Sequence, residues 1–242
     1  MNIRCITISL LASGLQVTAL SQVVYPKNPA DSIIKVIHCS DFRLAGDGSE
    51  PEWNGAEWHV IRQTGSPVRY GTRMKIMYSD SGIYCLYHCE DKIIKSTLKG
   101  DFLDLWHEDV VEAFFWTDER LPIYFEYELS PANYELPILV PNNDGNFLGW
   151  RPWHYEGKRM TRHLTGLHYD KTDPGKLIAW TAEFYIPYAL LKPIVGNPPV
   201  KGIHWRANFY RIDYDNGPAE WCWLAVPGTF HDYRRFGTLL FE

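Results

Sequence analysis

Along most of this chain, apolar and polar residues alternate with a period of two, in short runs separated by turn residues. Ile33 to Cys39 is the first such run. Arg73 to Tyr78 and Ile83 to Cys89, joined by Ser79-Asp80-Ser81-Gly82, read as a hairpin. Val110 to Trp116 and Tyr124 to Leu129 form another across Asp118 to Pro122. Ala179 to Ile186, His204 to Ile212, Glu220 to Ala225 and Phe236 to Phe241 follow. Asn216-Gly217, between two of these runs, is a strong turn dipeptide because both residues tolerate left-handed backbone. Helical periodicity is confined to two fragments, Asp101 to Trp106 and Pro187 to Leu191. Many short strands with regular turn punctuation predict an all-β fold, a single antiparallel β-sandwich of jelly-roll type with short helical fragments.

Residues 1–21 break this pattern. Met1 to Arg4 is a short positive start, Cys5 to Leu20 carries no charge, and Ala19-Leu20-Ser21 places small residues where a signal peptidase reads. The stretch is too short and too interrupted by Ser, Thr, Gly and Gln for a membrane span. The expectation is a leader over 1–21, one binding domain over 22–242, no membrane span in the mature chain, and a secreted or periplasmic location.

Composition narrows the function. The 242 residues include 10 Trp, 15 Tyr and 11 Phe; a sandwich core absorbs many of these rings, so their abundance alone assigns no site, but it leaves enough for one that stacks on a ligand. Net charge is −5 with acids and bases mixed, so the basic footprint of a nucleic-acid binder is missing. That balance suits a neutral polyol or calcium better than a phosphate. Four cysteines lie beyond the leader. Cys85 and Cys89, four apart on a predicted strand, have Cα atoms about 13 Å apart, beyond the limit of about 7 Å for a bridge. Each is free to pair with Cys39 or Cys222 or to stay a buried thiol. No CxxC pair marks a zinc ribbon.

Three strands carry candidate chemistry. Trp106 stands in the loop before Val110 to Trp116, where Val111, Ala113 and Phe115 share one face and Val110, Glu112, Phe114 and Trp116 the other. Rings beside a carboxylate suit a pyranose, whose C–H face lies on an aromatic surface while its hydroxyls bond carboxylate oxygens. The alternative is that Trp106 caps the core and Glu112 pairs with an Arg. On the next strand Tyr124, Glu126 and Glu128 oppose Phe125, Tyr127 and Leu129. Glu126 and Glu128 lie about 7 Å apart, within the separation of an inverting glycosidase pair, though solvated sheet charges show the same spacing. Arg206, with Asn208 and Tyr210 on one face of its strand, is a partner for Glu112 or Glu126, or a donor to a ligand hydroxyl. The loop Pro227 to Gly237 presents Phe230 with no period-2 partner.

Taken in order, W-H-E-D-V-V-E-A-F-F, Y-F-E-Y-E-L-S-P, W-T-A-E-F-Y-I-P, W-R-A-N-F-Y-R-I-D and F-H-D-Y-R-R-F-G-T-L-L-F resemble the family 9 carbohydrate-binding modules, and especially divergent exported members. The resemblance runs from Ile33 to Glu242. It implies a non-catalytic module that grips a terminal sugar between two rings, with Trp106 as the first ring, Glu112 as the carboxylate and Phe230 as the second ring, where the best-known members have Trp. Two features depart from the family: its middle-strand Arg is replaced near Glu126, and its polar residues before the second ring are missing around Val226-Pro227. The family also implies structural calcium, for which Asp47, Asp101 and Asp104 are loop candidates. Asp213 to Gly217 lacks EF-hand spacing and reads as a turn.

The expected function is therefore binding of a mono-, oligo- or polysaccharide in an exported polysaccharide-utilisation system. The alternative is a glycoside hydrolase or lyase using Glu112, Glu126, Glu128 or Asp109, with His107 and His231 as acid–base groups. His107-Glu108 lacks the second His of a zincin helix. A haem sandwich with His38 or His88 as ligand is a third reading.

Overall fold

The structure, a computed structural model, describes residues 32–242 except Ser66, Val68 and His154; the expected leader lies outside the described residues. Fourteen strands follow in chain order: β1 (Ile33–His38), β2 (His59–Gln63), β3 (Thr72–Tyr78), β4 (Gly82–Glu90), β5 (Val110–Trp116), β6 (Ile123–Leu129), β7 (Glu135–Asn143), β8 (Asn146–Phe147), β9 (Arg151–Pro152), β10 (Arg162–Tyr169), β11 (Leu177–Pro187), β12 (His204–Asp213), β13 (Ala219–Cys222) and β14 (Gly237–Phe241). One α-helical turn, α1 (Tyr188–Leu191), follows β11, and Leu105–His107 is a 3₁₀ turn.

The strands form a β-sandwich. The front sheet runs β1-β14-β12-β5-β6-β7-β8, and the back sheet runs β10-β11-β4-β3-β1. Pairing is antiparallel except at β1, which lies parallel to β14 through Ile33–Val36 and parallel to β3 through Ile37–His38, so one strand joins both sheets. A second link passes from β12 through β13 and β2 to β3.

The period-2 pattern builds the core. Val111, Ala113 and Phe115 of β5, Phe125, Tyr127 and Leu129 of β6, and Trp205, Ala207 and Phe209 of β12 face Met74, Ile76, Cys85, Tyr87, Cys89, Trp180, Ala182 and Phe184 of the back sheet in one buried cluster. Sheets packed this way interdigitate across about 10 Å. Gly237 opens β14 where a Cβ would come 2.3 Å from the Trp223 ring, so no larger residue fits there.

Five strands, β2, β7, β8, β9 and β10, lie outside the runs read from alternation. β7 carries Pro137 and Pro141, whose carbonyls accept hydrogen bonds from Trp153 N and Leu148 N on the side away from β6. The missing ladder donors therefore fall where only the two-residue β8 and β9 adjoin, and β10, which carries Gly166, is an edge strand. β2 is short. Cys39, Cys85, Cys89 and Cys222 are free thiols.

Both faces of the front sheet are covered. Every residue of β5 is buried, because Val110, Phe114 and Trp116 join Tyr124, Tyr210, Cys222, Tyr233 and Phe236 in a second apolar cluster on the outer face. Residues 226–236 cover part of that face, and Tyr233 packs on Trp116 with ring centroids 4.0 Å apart. On the outer face of the back sheet, Glu183 pins the 40–57 loop by accepting hydrogen bonds from Trp53 Nε1 (2.8 Å), Ala45 N (3.1 Å) and Gly46 N (2.5 Å).

Candidate ligand-binding site

Beside the 226–236 cover, the outer face of the front sheet opens into a cavity of about 500 Å³, within the size range of small-molecule sites. Its floor is Glu112, Glu126, Glu128, Ile138 and Ile212, and its walls include Trp106, Phe147, Trp150, Glu220, Phe230 and His231. Strand pairing gathers the floor. Glu112 stands directly opposite Glu128 across β5 and β6, and Glu126, opposite Phe114, lies one pleat further along the same face.

Each wall residue is held from behind. The 3₁₀ turn of Leu105–His107 presents Trp106, whose carbonyl accepts a hydrogen bond from Tyr214 OH at 2.7 Å. The two acids after it staple this loop. Glu108 accepts from Leu98 N at 2.9 Å and from the Thr97 amide and hydroxyl, and Asp109 accepts from Lys95 N (2.6 Å) and Tyr214 N (2.9 Å). Burial raises the Asp109 carboxyl to about 7. The Phe230 ring, also in the lining, stacks on Tyr210, with centroids 4.1 Å apart and planes 11° from parallel, while Tyr210 OH donates to the Phe230 carbonyl at 2.9 Å.

His231 lies beside the Tyr124 hydroxyl, with Nδ1 2.5 Å from the oxygen, and stacks under Phe147 at 4.3 Å. Burial lowers its pKa to about 4, so it is neutral near pH 7 and supplies no charge to Glu126, whose Oε2 is 3.8 Å away.

The floor carboxyls are buried: Glu112 is 3% exposed, Glu126 4% and Glu128 fully enclosed. Desolvation raises Glu112 to about 8, with Glu220 adding repulsion. Desolvation also holds Glu126 and Glu128 well above the ordinary carboxylate range, with further repulsion from Glu112. Among the described residues, no donor reaches Glu126 Oε2 or either Glu128 oxygen. Their mutual contact is carboxyl to carboxyl, which is favourable only when a proton lies between them. These acids are therefore not the solvated sheet charges that their spacing permitted.

Four of the five residues singled out in the sequence, Trp106, Glu112, Glu126 and Phe230, meet in this cavity. Arg206 does not line it. It sits opposite Trp116, four residues along β12 from the Tyr210–Glu112 pair, and its guanidinium donates to the Phe236 carbonyl and to Thr238 Oγ1 at 3.3 Å. The reading of Arg206 as a partner for Glu112 or Glu126 therefore gives way to a role fixing the start of β14. The sequence reading did not single out Trp150 and Phe147 for the site. They are 37% and 42% exposed, and Trp150 meets the Trp106 ring edge-on at 5.5 Å. Their only signal was two large rings close together in a stretch of Asn, Asp and Gly.

The loop acids named for calcium do not gather. Asp47 accepts Ser49 N, Asp101 accepts Glu135 N, and Asp104 is exposed before the 3₁₀ turn. Among the described residues, the trio with ligand atoms close enough for one ion is Asp91, Asp213 and Asp215. Arg211 already bonds Asp91 at 2.9 Å and Asp213 at 2.7 Å, and Arg69 lies 3.6 Å from Asp213. That donor set fits a buried ion-pair network better than a divalent ion. His38 pairs with Asp80 at 3.0 Å, and His88 lies on the back sheet beside His168.

No family model matches the chain, and no curated protein matches it. Solved structures do. A candidate carbohydrate-binding protein from Bacteroides uniformis superposes with a TM-score of 0.69 at 17% identity, covering 87% of this chain and 99% of that one. A family 9 carbohydrate-binding module from Caldicellulosiruptor kristjanssonii aligns in its cellotriose complex with a TM-score of 0.62 at 18% identity, covering 87% of this chain and 93% of that one. Its glucose complex gives 0.62 at 16% identity, covering 87% and 95%. The chain therefore has the fold of the family 9 carbohydrate-binding modules.

Proposed function

We propose that this chain binds a terminal sugar in the front-sheet cavity and carries out no chemical step on it. The observation behind this reading is that one cavity combines a carboxyl floor with the aromatic rings of Trp106, Trp150 and Phe230. Rings take the C–H face of a pyranose, and buried acids bond its hydroxyls. The fold supports the reading, since a module of the same fold holds glucose and cellotriose. The leader-like residues 1–21 support export, and sugar binding by an exported chain is consistent with a part in a polysaccharide-utilisation system.

Calorimetry of the protein against mono- and oligosaccharides, with and without calcium, tests the proposal. A micromolar site corresponds to about 8 kcal/mol. Trp106→Ala removes a central aromatic anchor, so it weakens binding by about a hundredfold or more, whereas Arg206→Ala leaves it within about threefold. Unchanged glycan affinity in Trp106→Ala refutes the proposal.

A further inference from the structure

Buried carboxyls elsewhere in this protein are met by donors. Asp91 and Asp213 share Arg211, Asp109 accepts two backbone N–H groups, Glu135 accepts the Tyr127 and Thr161 hydroxyls, and Glu183 accepts three N–H groups. Glu135 Oε1 aside, Glu126 and Glu128 are the exception among the fully buried carboxyls of the described residues. They are at least 96% buried, they line the cavity, and three of their four oxygens have no protein donor. Buried polar groups in folded proteins are nearly always paired, so their donors must come from what enters the cavity.

The charge of the lining points the same way. Four carboxyls line it (Glu112, Glu126, Glu128 and Glu220), no Lys or Arg does, and the one imidazole is neutral. Tyr124, Tyr210 and Cys222 pack on this face from β6, β12 and β13, and Asp104 acts on Glu128 from the Trp106 turn. None of these supplies positive charge. An ammonium group brings three donors and a charge, and indole faces such as Trp106 and Trp150 attract cations.

Resting on the sugar-binding reading above, we infer that the preferred ligand is a cationic amino sugar, whose ammonium group sits on the Glu112–Glu126–Glu128 floor. A neutral glucan must leave these acids protonated, whereas an ammonium allows one to ionise and form a charge-assisted hydrogen bond. Binding the cation then releases a proton, so affinity rises with pH until the amine itself begins to lose its charge.

The test is titration calorimetry on the full chain with three β-1,4-linked trisaccharides: cellotriose, the glucosamine trimer and the N-acetylglucosamine trimer. The glucosamine trimer is expected to bind about tenfold or more tighter than either neutral trimer. Its measured heat is expected to vary with buffer ionisation heat in the sense of proton release. In the double variant Glu126→Gln, Glu128→Gln the preference falls to within about threefold. Proton release by the unaltered protein carries the test if that variant does not fold. Cellotriose bound as tightly as the glucosamine trimer overturns this inference and leaves sugar binding intact. No binding of any trimer overturns both. Glucosamine-trimer binding that survives Trp106→Ala is attraction to an acidic surface, and overturns the inference as well.

Discussion

Glu112 makes the burial of the cavity floor measurable as stability. Its carboxyl rises from an ordinary 4.5 to about 8 in the folded chain, chiefly by desolvation and then by repulsion from Glu220. Between those values the folded state holds a proton that the unfolded state has released, so stability falls as pH rises. The contribution is fully present below pH 4.5 and lost by about pH 8. At about 1.36 kcal/mol per pH unit, the full loss is on the order of 5 kcal/mol. Water entering the cavity solvates the ionised group and makes this an upper figure. Glu112→Gln keeps the size of the side chain and removes the ionisation. Urea denaturation of both proteins at half-unit steps from pH 5 to 8 measures the effect together with the relief of repulsion on Glu126 and Glu128 that removal of Glu112 brings. The expected result is a stability difference that shifts in favour of the variant by at least about 1 kcal/mol across that range. Parallel profiles would show that Glu112 is solvated in the folded state, and the account of the floor would be wrong.

Arg211 is fully buried and bonds Asp91, Asp213, Thr72 Oγ1 and the Glu90 carbonyl. Arg211→Met removes the counter-charge that Asp91 and Asp213 share, leaving Arg69 at 3.6 Å from Asp213 alone, and is expected to cost about 3–5 kcal/mol in chemical denaturation; a loss below about 1 kcal/mol contradicts the network. Glu183→Ala removes three hydrogen bonds from the 40–57 loop, so stability falls by about 1–3 kcal/mol and limited proteolysis cuts that loop first. Unchanged proteolysis would mean that packing of Phe42 and Trp53 holds the loop without Glu183. Incubation with the glycans it binds is expected to leave them intact; turnover that is lost in Glu112→Gln would establish the hydrolase or lyase alternative.

The sequence by itself determined the strands with clean alternation and which face of each is core. Phe125, Tyr127 and Leu129 face inward because Tyr124, Glu126 and Glu128 cannot also do so at a period of two. It also placed Trp106, Glu112, Glu126 and Phe230 as site candidates, because the ordered motifs fix their positions on strands and loops. Tertiary structure decided the rest. The sparse pairing of β7 beyond β6 and the edge position of β10 make their Pro and Gly tolerable, and no local pattern reveals either. Burial of Glu126 and Glu128 depends on a cover drawn from residues 226–236, far away in the chain, so a face that alternation reads as polar becomes an enclosed floor. Arg206 shares that face, yet its strand carries it to Phe236 and Thr238 instead. Alternation reports which side of a sheet a residue occupies; how far along the strand it lies, and what covers it there, is set by register and by packing between distant segments.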